Sequence, residues 1–431
     1  MKSSPVPPSH RPRALRLTGL AAVSVLALAG CASGGAGDGG GGSAGGELTF
    51  SNWQFLEDGK GPIIWDAVKG YTGPDDNIEL TKVEIPFANY ADKLSTELGA
   101  GGGPDVMVLQ DSQFASLVDA GVLEPLDDIA DELGDDLNNT NEAGVFDGGQ
   151  YGFNWERPTY STVIYNKEIF DQLGLEVPTT FDEFLTTAQT IKSELGIAGW
   201  AGRHQTAEID GWTLEMANWI YGFGGELSDG EKLTIDKAEN VEAVEAFLET
   251  FASGVAPIGD DASTFRAKFG QGQVGMLFEN SGVATTITSN PDNVVDGMTL
   301  GAAPLPLANP GSNSQLIIAV NANSDNKEAA KDFVRWVLGE QGQTAIRAGL
   351  GASAMATDVE PDAAFLEANP WATQFLEAAK TSKSTLVEGF ETESKVVWRE
   401  VLTAVEDLRV NGGDVKQKLA EVQETLEAEL G

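Results

Sequence analysis

The chain is poor in the residues that build metal and redox sites. It has one cysteine, Cys31, and two histidines, His10 and His204, among 431 residues. A single thiol excludes an internal disulfide framework and a site of several thiolates. Two histidines are too few for a multi-histidine zinc centre, and they leave a Ser-His-Asp triad with almost no candidates. We therefore predict no metal site.

Basic residues are also scarce. The chain has 27 Lys and Arg against 66 Asp and Glu, and its formal net charge is −39. Nucleic acids and other polyanions are bound through clustered Lys and Arg, which are lacking here. The excess acid favours solubility and opposes association, without specifying a fold.

Long apolar runs are absent after the N-terminus. Residues 17–29 form an apolar stretch that follows Lys2, Arg11, Arg13 and Arg16. This order is typical of a signal peptide, and we assign it to residues 1–30. A spanning helix needs about 20 apolar residues, and no later segment approaches an uncharged run of that length.

The sequence LAGC at 28–31 resembles the bacterial lipobox, in which the cysteine is acylated after cleavage before it. We expect a lipid anchor on Cys31, with a chance cysteine beside an ordinary cleavage site as the alternative. Residues 34–46, GGAGDGGGGSAGG, offer almost nothing to bury and predict a flexible tether of about 20 Å. The lipidated cysteine and the tether together span 31–46.

From Glu47 onward the hydrophobic pattern alternates between strand and helix periods. This order predicts an α/β fold with mostly parallel sheets and helices on both faces. Thr180, with Glu183 three residues later, is predicted to cap a long helix. Strands are predicted at 48–50, 78–85, 105–109 and 163–165, and helices at 62–69, 90–98, 114–120, 180–193, 212–221, 238–253, 327–338, 370–382 and 393–427, the last interrupted around Asn411-Gly412-Gly413.

Three groups of motifs resemble one family. The first is GGGPDV at 101–106 with AGVLEPL at 120–126, and the second is IYNKEIF at 164–170 with PTTFDEF at 178–184. The third is FGQGQVGM at 269–276 followed by NANSDNKEAA at 321–330. Together they resemble extracellular solute-binding protein family 1, which includes maltose-binding protein, over nearly the whole chain after the tether.

The resemblance implies a periplasmic-binding-protein-like fold. Two lobes, each with a mostly parallel sheet flanked by helices, would be joined by three crossings near 157–162, 313–318 and 349–353. The N-lobe is expected to comprise 47–158 plus 318–350, and the C-lobe 159–317 plus 351–431.

Candidate ligand residues follow from the strand ends and from the family. Sugars present an apolar face and paired hydroxyls, so aromatic rings and planar polar groups suit them. Trp398 matches the position of a sugar-stacking aromatic of the family, whereas Glu279 begins a segment where the family commonly has a tryptophan and this chain has none. The predicted ligand-binding set is Trp53, Asp111, Trp155, Arg157, Tyr160, Trp212, Glu279, Glu388 and Trp398.

The resemblance implies the substrate-binding lipoprotein of an ABC importer, with no cofactor and no catalytic role. It is expected to capture a carbohydrate between the lobes, to act as a monomer on the outer face of the cell membrane and to deliver its ligand to permease subunits. Two alternatives stay open: a binding protein for a polyol, a glycerol phosphodiester or a compatible solute, and a secreted glycoside-active enzyme using two of the many carboxylates.

Overall fold

The computed structural model describes residues 46–57 and 60–430. The predicted signal peptide, Cys31 and nearly all of the tether lie outside these ranges. Gly46, the last residue assigned to the tether, is the first residue of a strand. None of the helices in the described ranges combines the length and apolar character that crossing a bilayer requires.

Strands and helices alternate along the chain, as the hydrophobic pattern predicts. The strands are β1 (Gly46–Ser51), β2 (Ile78–Val83), β3 (Val106–Gln110), β4 (Val145–Phe146), β5 (Gly149–Gln150), β6 (Gly152–Glu156), β7 (Thr162–Asn166), β8 (Ala198–Ala201), β9 (Val274–Phe278), β10 (Leu300–Pro304) and β11 (Leu316–Val320). The helices are α1 (Gly61–Val68), α2 (Phe87–Gly99), α3 (Asp111–Asp119), α4 (Asp127–Leu133), α5 (Lys167–Leu173), α6 (Phe181–Leu195), α7 (Ile209–Gly222), α8 (Ala238–Ala252), α9 (Ala262–Gly270), α10 (Ser281–Ser289), α11 (Lys327–Leu338), α12 (Glu340–Leu350), α13 (Ala363–Ala368), α14 (Ala372–Ala379), α15 (Ser394–Asn411) and α16 (Val415–Leu430).

Local signals set several helix ends where the sequence predicts them. The Thr180 hydroxyl accepts a hydrogen bond from the Glu183 amide at 3.3 Å, which confirms the predicted cap of α6. Glu183 reaches back to Thr179, whose amide donates to its carboxylate at 2.8 Å. Gly412 has a φ of +71°, a conformation that glycine adopts without strain, and it separates α15 from α16.

The two main sheets are more mixed than the predicted, mostly parallel arrangement. The first has the order β2-β1-β3-β11-β6 and the second the order β10-β7-β9-β8. Strand β11 runs antiparallel to β3 and β6, and β7 runs antiparallel to β9 and β10. The chain enters the second sheet through β7 and returns to the first sheet through β11. The neighbouring strands run toward the crossings, so β7 and β11 lie antiparallel to them.

Each sheet has its own hydrophobic core. The first contains Phe50, whose ring packs edge-on against Trp155 at 5.7 Å and Phe333 at 5.2 Å between centroids. The second sheet is covered on both faces, because alternate residues of a strand point to opposite sides. Phe278 of β9 packs in one cluster and Leu277 in the other.

Three chain segments connect the sheets, and hydrogen bonds hold them together. The Arg157 amide donates to the Ala354 carbonyl at 2.8 Å, and the Tyr160 amide donates to the Ser312 carbonyl at 2.9 Å. Leu316 begins β11, the strand through which the chain re-enters the first sheet, and the first core extends to Ala356. We therefore propose lobes of 46–156 plus 316–356 and 162–305 plus 363–430, whose limits differ from the predicted boundaries by 1 to 12 residues.

Candidate functional site

The chain delivers polar residues to the edges at which the two sheets face each other. In the register of the first sheet, Leu316 pairs with Gln110 at the end of β3 and with Glu156 at the end of β6. The second sheet presents the ends of β8, β9 and β10 toward the crossings, because β7 starts there. Ligands of open α/β sheets bind beyond the carboxyl ends of strands.

A cleft lies between the lobes at these edges. The space between its walls is about 650 Å³ when the volume open to solvent is included. We call it the inter-lobe cleft, and its walls come from β3 and α3 of the first lobe, from α7 and α15 of the second, and from the second crossing. Its lining residues are Gln110, Asp111, Ser112, Ile209, Asp210, Thr213, Leu214, Ser314, Thr385, Leu386, Ser394, Lys395, Trp398 and Arg399.

Asp111 is the acidic residue of the first-lobe wall. It begins α3 directly after β3, and only 7% of its surface is exposed. Burial raises the pKa of its carboxyl to about 6, against hydrogen bonds and the Lys395 charge that act in the opposite direction. One oxygen accepts from the Ser112 amide at 2.8 Å and the other from the Ser384 hydroxyl at 3.3 Å.

Trp398 is the aromatic residue of the second-lobe wall. Its indole N–H donates to the Thr385 carbonyl at 2.8 Å, and 2% of its surface is exposed. Lys395 and Arg399 lie three positions before and one after it on α15 and are exposed to the cleft. The structure therefore brings two predicted residues, Asp111 and Trp398, to opposite walls of one cleft.

Trp155 borders a buried polar cluster beside the crossings. Its indole N–H donates to the Gln54 side chain at 2.9 Å. Gln54 in turn donates to Glu156 at 2.6 Å, and Lys60 forms an ion pair with Glu156 at 2.7 Å. The Ser353 hydroxyl also donates to Glu156, at 2.8 Å. These groups satisfy one another, and Trp155 itself is fully buried in the first core.

Arg157 and Tyr160 lie on the first crossing and are buried. The Arg157 guanidinium donates to the Thr140 carbonyl at 3.4 Å, and burial lowers its pKa to about 10. Burial and the neighbouring Glu279 raise the pKa of Tyr160. Both side chains line the crossing and not the inter-lobe cleft.

Glu279 lies in an ion-pair network of the second lobe. Its carboxylate is 0% exposed, 2.6 Å from Arg266 and 3.7 Å from Arg203. Arg203 also pairs with Glu215 at 3.1 Å, and burial raises the pKa of Glu215 to about 7. A carboxylate already paired with two cations is engaged in holding the lobe together.

The structure places the remaining predicted residues outside the cleft. Trp53 packs against Tyr90 at 5.0 Å between ring centroids, and Trp212 packs beside Phe247 at 6.0 Å. Both tryptophans belong to lobe cores. Glu388 is exposed and lines a neighbouring cavity.

Sequence reasoning missed the residues that flank the predicted ones. Asp210, Thr213 and Leu214 face the cleft at the i, i+3, i+4 spacing of one helix side, while Trp212 between them faces the core. That spacing is a signal that a helical projection of α7 would have shown. Within the described ranges no group of His, Cys, Asp and Glu is arranged to hold a metal ion.

Two lobes joined by three crossings around a polar and aromatic cleft define a binding protein of the periplasmic type. The chain belongs to the bacterial extracellular solute-binding protein family, whose model matches residues 53–344. It is thus a solute-binding protein that acts outside the cytoplasm, and not an enzyme.

Individual relatives agree with this assignment. The diacetylchitobiose binding protein DasA of Streptomyces coelicolor is 29% identical over 77% of each chain. The GacH receptor of Streptomyces glaucescens, solved without ligand and with acarbose, superposes with a TM-score of 0.76 at 20% identity, over 89% of this chain and 97% of its own. UgpB of Mycobacterium tuberculosis, solved with glycerophosphocholine, gives a TM-score of 0.75 at 19% identity, over 89% and 98%.

Proposed function

We propose that this chain is the substrate-binding lipoprotein of an ABC importer and captures an oligosaccharide in the inter-lobe cleft. The observation that carries the proposal is the placement of Asp111 and Trp398 on opposite walls of that cleft. A carboxylate accepts hydrogen bonds from sugar hydroxyls, and an indole packs against the apolar face of a sugar ring. The ligands named for DasA and GacH are of this chemical class.

Capture by two walls also explains how binding becomes a signal. A ligand shifts a conformational equilibrium only through its differential affinity for the two states. One that contacts Asp111 and Trp398 together favours the arrangement in which the lobes approach. The approached form would dock on the permease subunits of the importer, and a lipid on Cys31 would keep the monomeric protein at the outer face of the membrane.

Calorimetry with defined sugars tests the proposal. Micromolar binding corresponds to about −8 kcal/mol, and we expect at least one series of gluco- or N-acetylglucosamine oligosaccharides to reach it. Asp111→Asn should weaken that binding, while the exposed Glu424→Gln on α16 should not. Absence of binding to every oligosaccharide of a broad panel would contradict the carbohydrate assignment.

One observation favours a second candidate, a glycerol phosphodiester. Lys395 and Arg399 face the cleft, and neither side chain forms an ion pair with a residue in the described part of the chain. Cations of this kind suit a phosphate group. If glycerophosphocholine binds more tightly than any sugar, and Lys395→Met with Arg399→Met abolishes that binding, the second candidate replaces the first.

The lipid anchor has its own test. The full chain produced in a bacterial host should partition with membranes, and mass spectrometry should find an acyl modification on Cys31. Cys31→Ser should release the protein from the membrane without changing its ligand affinity. A membrane-free wild-type chain with an unmodified thiol would contradict the anchor.

A further inference from the structure

His204 is a buried histidine whose proton arrangement is fixed by its neighbours. It lies in the segment 202–208 between β8 and α7, which we call the β8–α7 loop, and 1% of its surface is exposed. Its Nδ1 lies 3.0 Å from the Gly202 carbonyl oxygen, and its Nε2 lies 2.9 Å from the Gly259 backbone nitrogen. A carbonyl only accepts a hydrogen bond, and a backbone amide only donates one. The ring is therefore neutral, with its proton on Nδ1 and with Nε2 accepting from Gly259.

The surroundings of His204 favour the neutral ring. It packs against Phe251 with 4.9 Å between ring centroids, and the Arg409 guanidinium lies 6.0 Å from the centroid of the same Phe251 ring. Burial lowers the pKa of His204, and the Arg409 charge acts in the same direction. The hydrogen bond to a backbone carbonyl and the carboxylates of Glu208 and Asp260 oppose this shift without reversing it. At neutral pH Nε2 therefore keeps the lone pair that accepts from the facing amide.

The bond to Gly259 ties the β8–α7 loop to residues 253–261, which connect α8 to α9. Two further bonds hold the same loop. Glu208 accepts from the first amide of α9 at 3.0 Å, and Glu406 of α15 accepts from the Thr206 amide at 3.0 Å. Both carboxylates are partly exposed, at 24% and 28%, so water can replace them. A buried amide that loses its acceptor has no such substitute, so loss of the histidine bond should displace the loop most.

The residue before His204 packs directly against α7. The Arg203 amide and guanidinium both donate to Glu215 of α7, at 2.9 and 3.1 Å. The helix approaches Arg203 so closely at Gly211 that a β-carbon there would lie 2.6 Å from the arginine Nε. Gly211 follows Asp210, which lines the inter-lobe cleft. A displacement of His204 and Arg203 would therefore move the second-lobe wall of the cleft.

We infer that His204 is a positioning residue for ligand binding: its Nε2 holds the β8–α7 loop, and through Arg203 the cleft-lining side of α7, in the place that a ligand requires. The inference rests on the proposed function and goes beyond it, because His204 does not line the inter-lobe cleft. Part of the affinity is thus assigned to a side chain that the ligand does not touch. A glutamine at this position can keep the bond, since its amide oxygen accepts from the Gly259 amide. A leucine fills the space and cannot accept.

Two measurements on the ligand-free full chain test the bond itself. ¹⁵N NMR of histidine-labelled protein carrying His10→Gln, which leaves His204 as the sole histidine, should show a proton on Nδ1 and none on Nε2 at neutral pH. Hydrogen exchange should show residues 209–216 and the Gly259 amide about tenfold less protected in His204→Leu than in the wild type, the scale of one hydrogen bond, and within about twofold in His204→Gln. The Leu126 amide, which bonds within the first lobe, should be unchanged.

Calorimetry with diacetylchitobiose and maltotriose at neutral pH measures the consequence for binding. For a sugar that binds the wild type, His204→Leu should weaken affinity about tenfold, and His204→Gln should restore most of it. Glu424→Gln, an exposed acid on α16, should match the wild type. Thermal unfolding checks that each variant is folded under the conditions of the titration.

The outcomes separate this inference from the proposed function. A proton on Nε2, or unchanged protection of residues 209–216 in His204→Leu, would overturn the positioning role while sugar binding by the wild type stands. An affinity that falls equally in His204→Leu and His204→Gln would overturn it as well, because the accepting atom would then be irrelevant. If neither sugar binds the wild type, the carbohydrate assignment loses support, and the protection of residues 209–216 alone decides whether His204 positions α7.

Discussion

The Asp111 carboxylate accepts a hydrogen bond from the Ser384 hydroxyl at 3.3 Å, and these residues lie on opposite lobes, 273 positions apart in the chain. The contact joins the start of α3, directly after β3, to the segment before α15, whose Thr385 and Leu386 line the inter-lobe cleft. A ligand that hydrogen-bonds to the Asp111 carboxylate would compete with this contact.

Asp111 should make folding stability depend on pH. Burial raises the pKa of its carboxyl to about 6, from an ordinary value near 3.8. Between those values the folded state binds more protons than the unfolded state, so this group's contribution to stability falls as pH rises from about 4 to 6. Asp111→Asn removes the titration, and the difference in unfolding free energy, variant minus wild type, should rise by about 2–3 kcal/mol from pH 4 to pH 8. Urea unfolding at each pH measures it, and a pH-independent difference would contradict it.

Ligand affinity should show the opposite pH trend. The ionised carboxylate accepts hydrogen bonds from sugar hydroxyls with both oxygens, whereas the protonated form accepts less. Wild-type affinity for a bound oligosaccharide should therefore fall as pH drops below about 6. Asp111→Asn should bind more weakly and without this pH dependence. Calorimetry from pH 5 to 8 checks both, and a parallel pH profile for the variant would remove Asp111 from the site.

Trp398 should contribute to both stability and binding. Its ring is buried, so Trp398→Ala would lower the unfolding free energy by about 3–5 kcal/mol. A loss of binding in that variant could then not be separated from a loss of stability. Trp398→Phe keeps an aromatic ring and loses the bond to the Thr385 carbonyl, at a cost of about 1–3 kcal/mol. We expect ligand affinity to fall at least tenfold, as measured by calorimetry on the folded variant.

Trp371, in the same lobe as Trp398, serves as a matched control for the Trp398 substitution. Trp371 is buried outside the inter-lobe cleft, and its indole N–H has no hydrogen-bond partner among the residues that the structure describes. Trp371→Phe should therefore leave affinity unchanged. An equal loss of affinity in both variants would show that Trp398 acts through general packing.

Glu279 should act on stability and not on affinity. Its buried carboxylate pairs with Arg203, which is also buried, and with Arg266, whose side chain is 27% exposed. Arg203 keeps Glu215 as a partner and Arg266 is partly exposed, so Glu279→Gln should lower the unfolding free energy by about 1–3 kcal/mol, less than the loss of an isolated buried pair. Denaturant titration measures the loss, with Glu424→Gln as the neutral comparison. If Glu279→Gln is stable but does not bind sugar, Glu279 contributes to ligand binding and the prediction is wrong.

The two lobes should approach each other when ligand binds. Small-angle scattering of the full chain should show a smaller radius of gyration with a bound oligosaccharide than with a sugar that does not bind. The change depends on rotation at the crossings, where one backbone hydrogen bond joins Tyr160 and Ser312. An identical scattering profile with and without a bound ligand would contradict capture by lobe closure.

The sequence alone determined the α/β class, the family and most helix positions. The cap at Thr180, the interruption at Gly412 and the span of α11 at 327–338 depend on residues within a few positions of one another. Such local interactions can be predicted from the sequence, because hydrophobic periodicity and helix capping involve residues within one or two helical turns. The position of Asp111 at the edge of the inter-lobe cleft was predictable as well, since it follows a buried strand directly.

Only the tertiary structure decided which side chains face the cleft. Trp212 and Thr213 are adjacent in sequence, yet the first packs in the core and the second lines the cleft. The sequence left Glu279 available to a ligand, whereas in the structure its carboxylate is paired with Arg203 and Arg266. Contacts of this kind join segments far apart in the chain, and the direction of a side chain depends on what packs against its helix. Composition and spacing specify neither long-range contacts nor side-chain directions. The sequence therefore indicated where the cleft lies, but not which side chains line it.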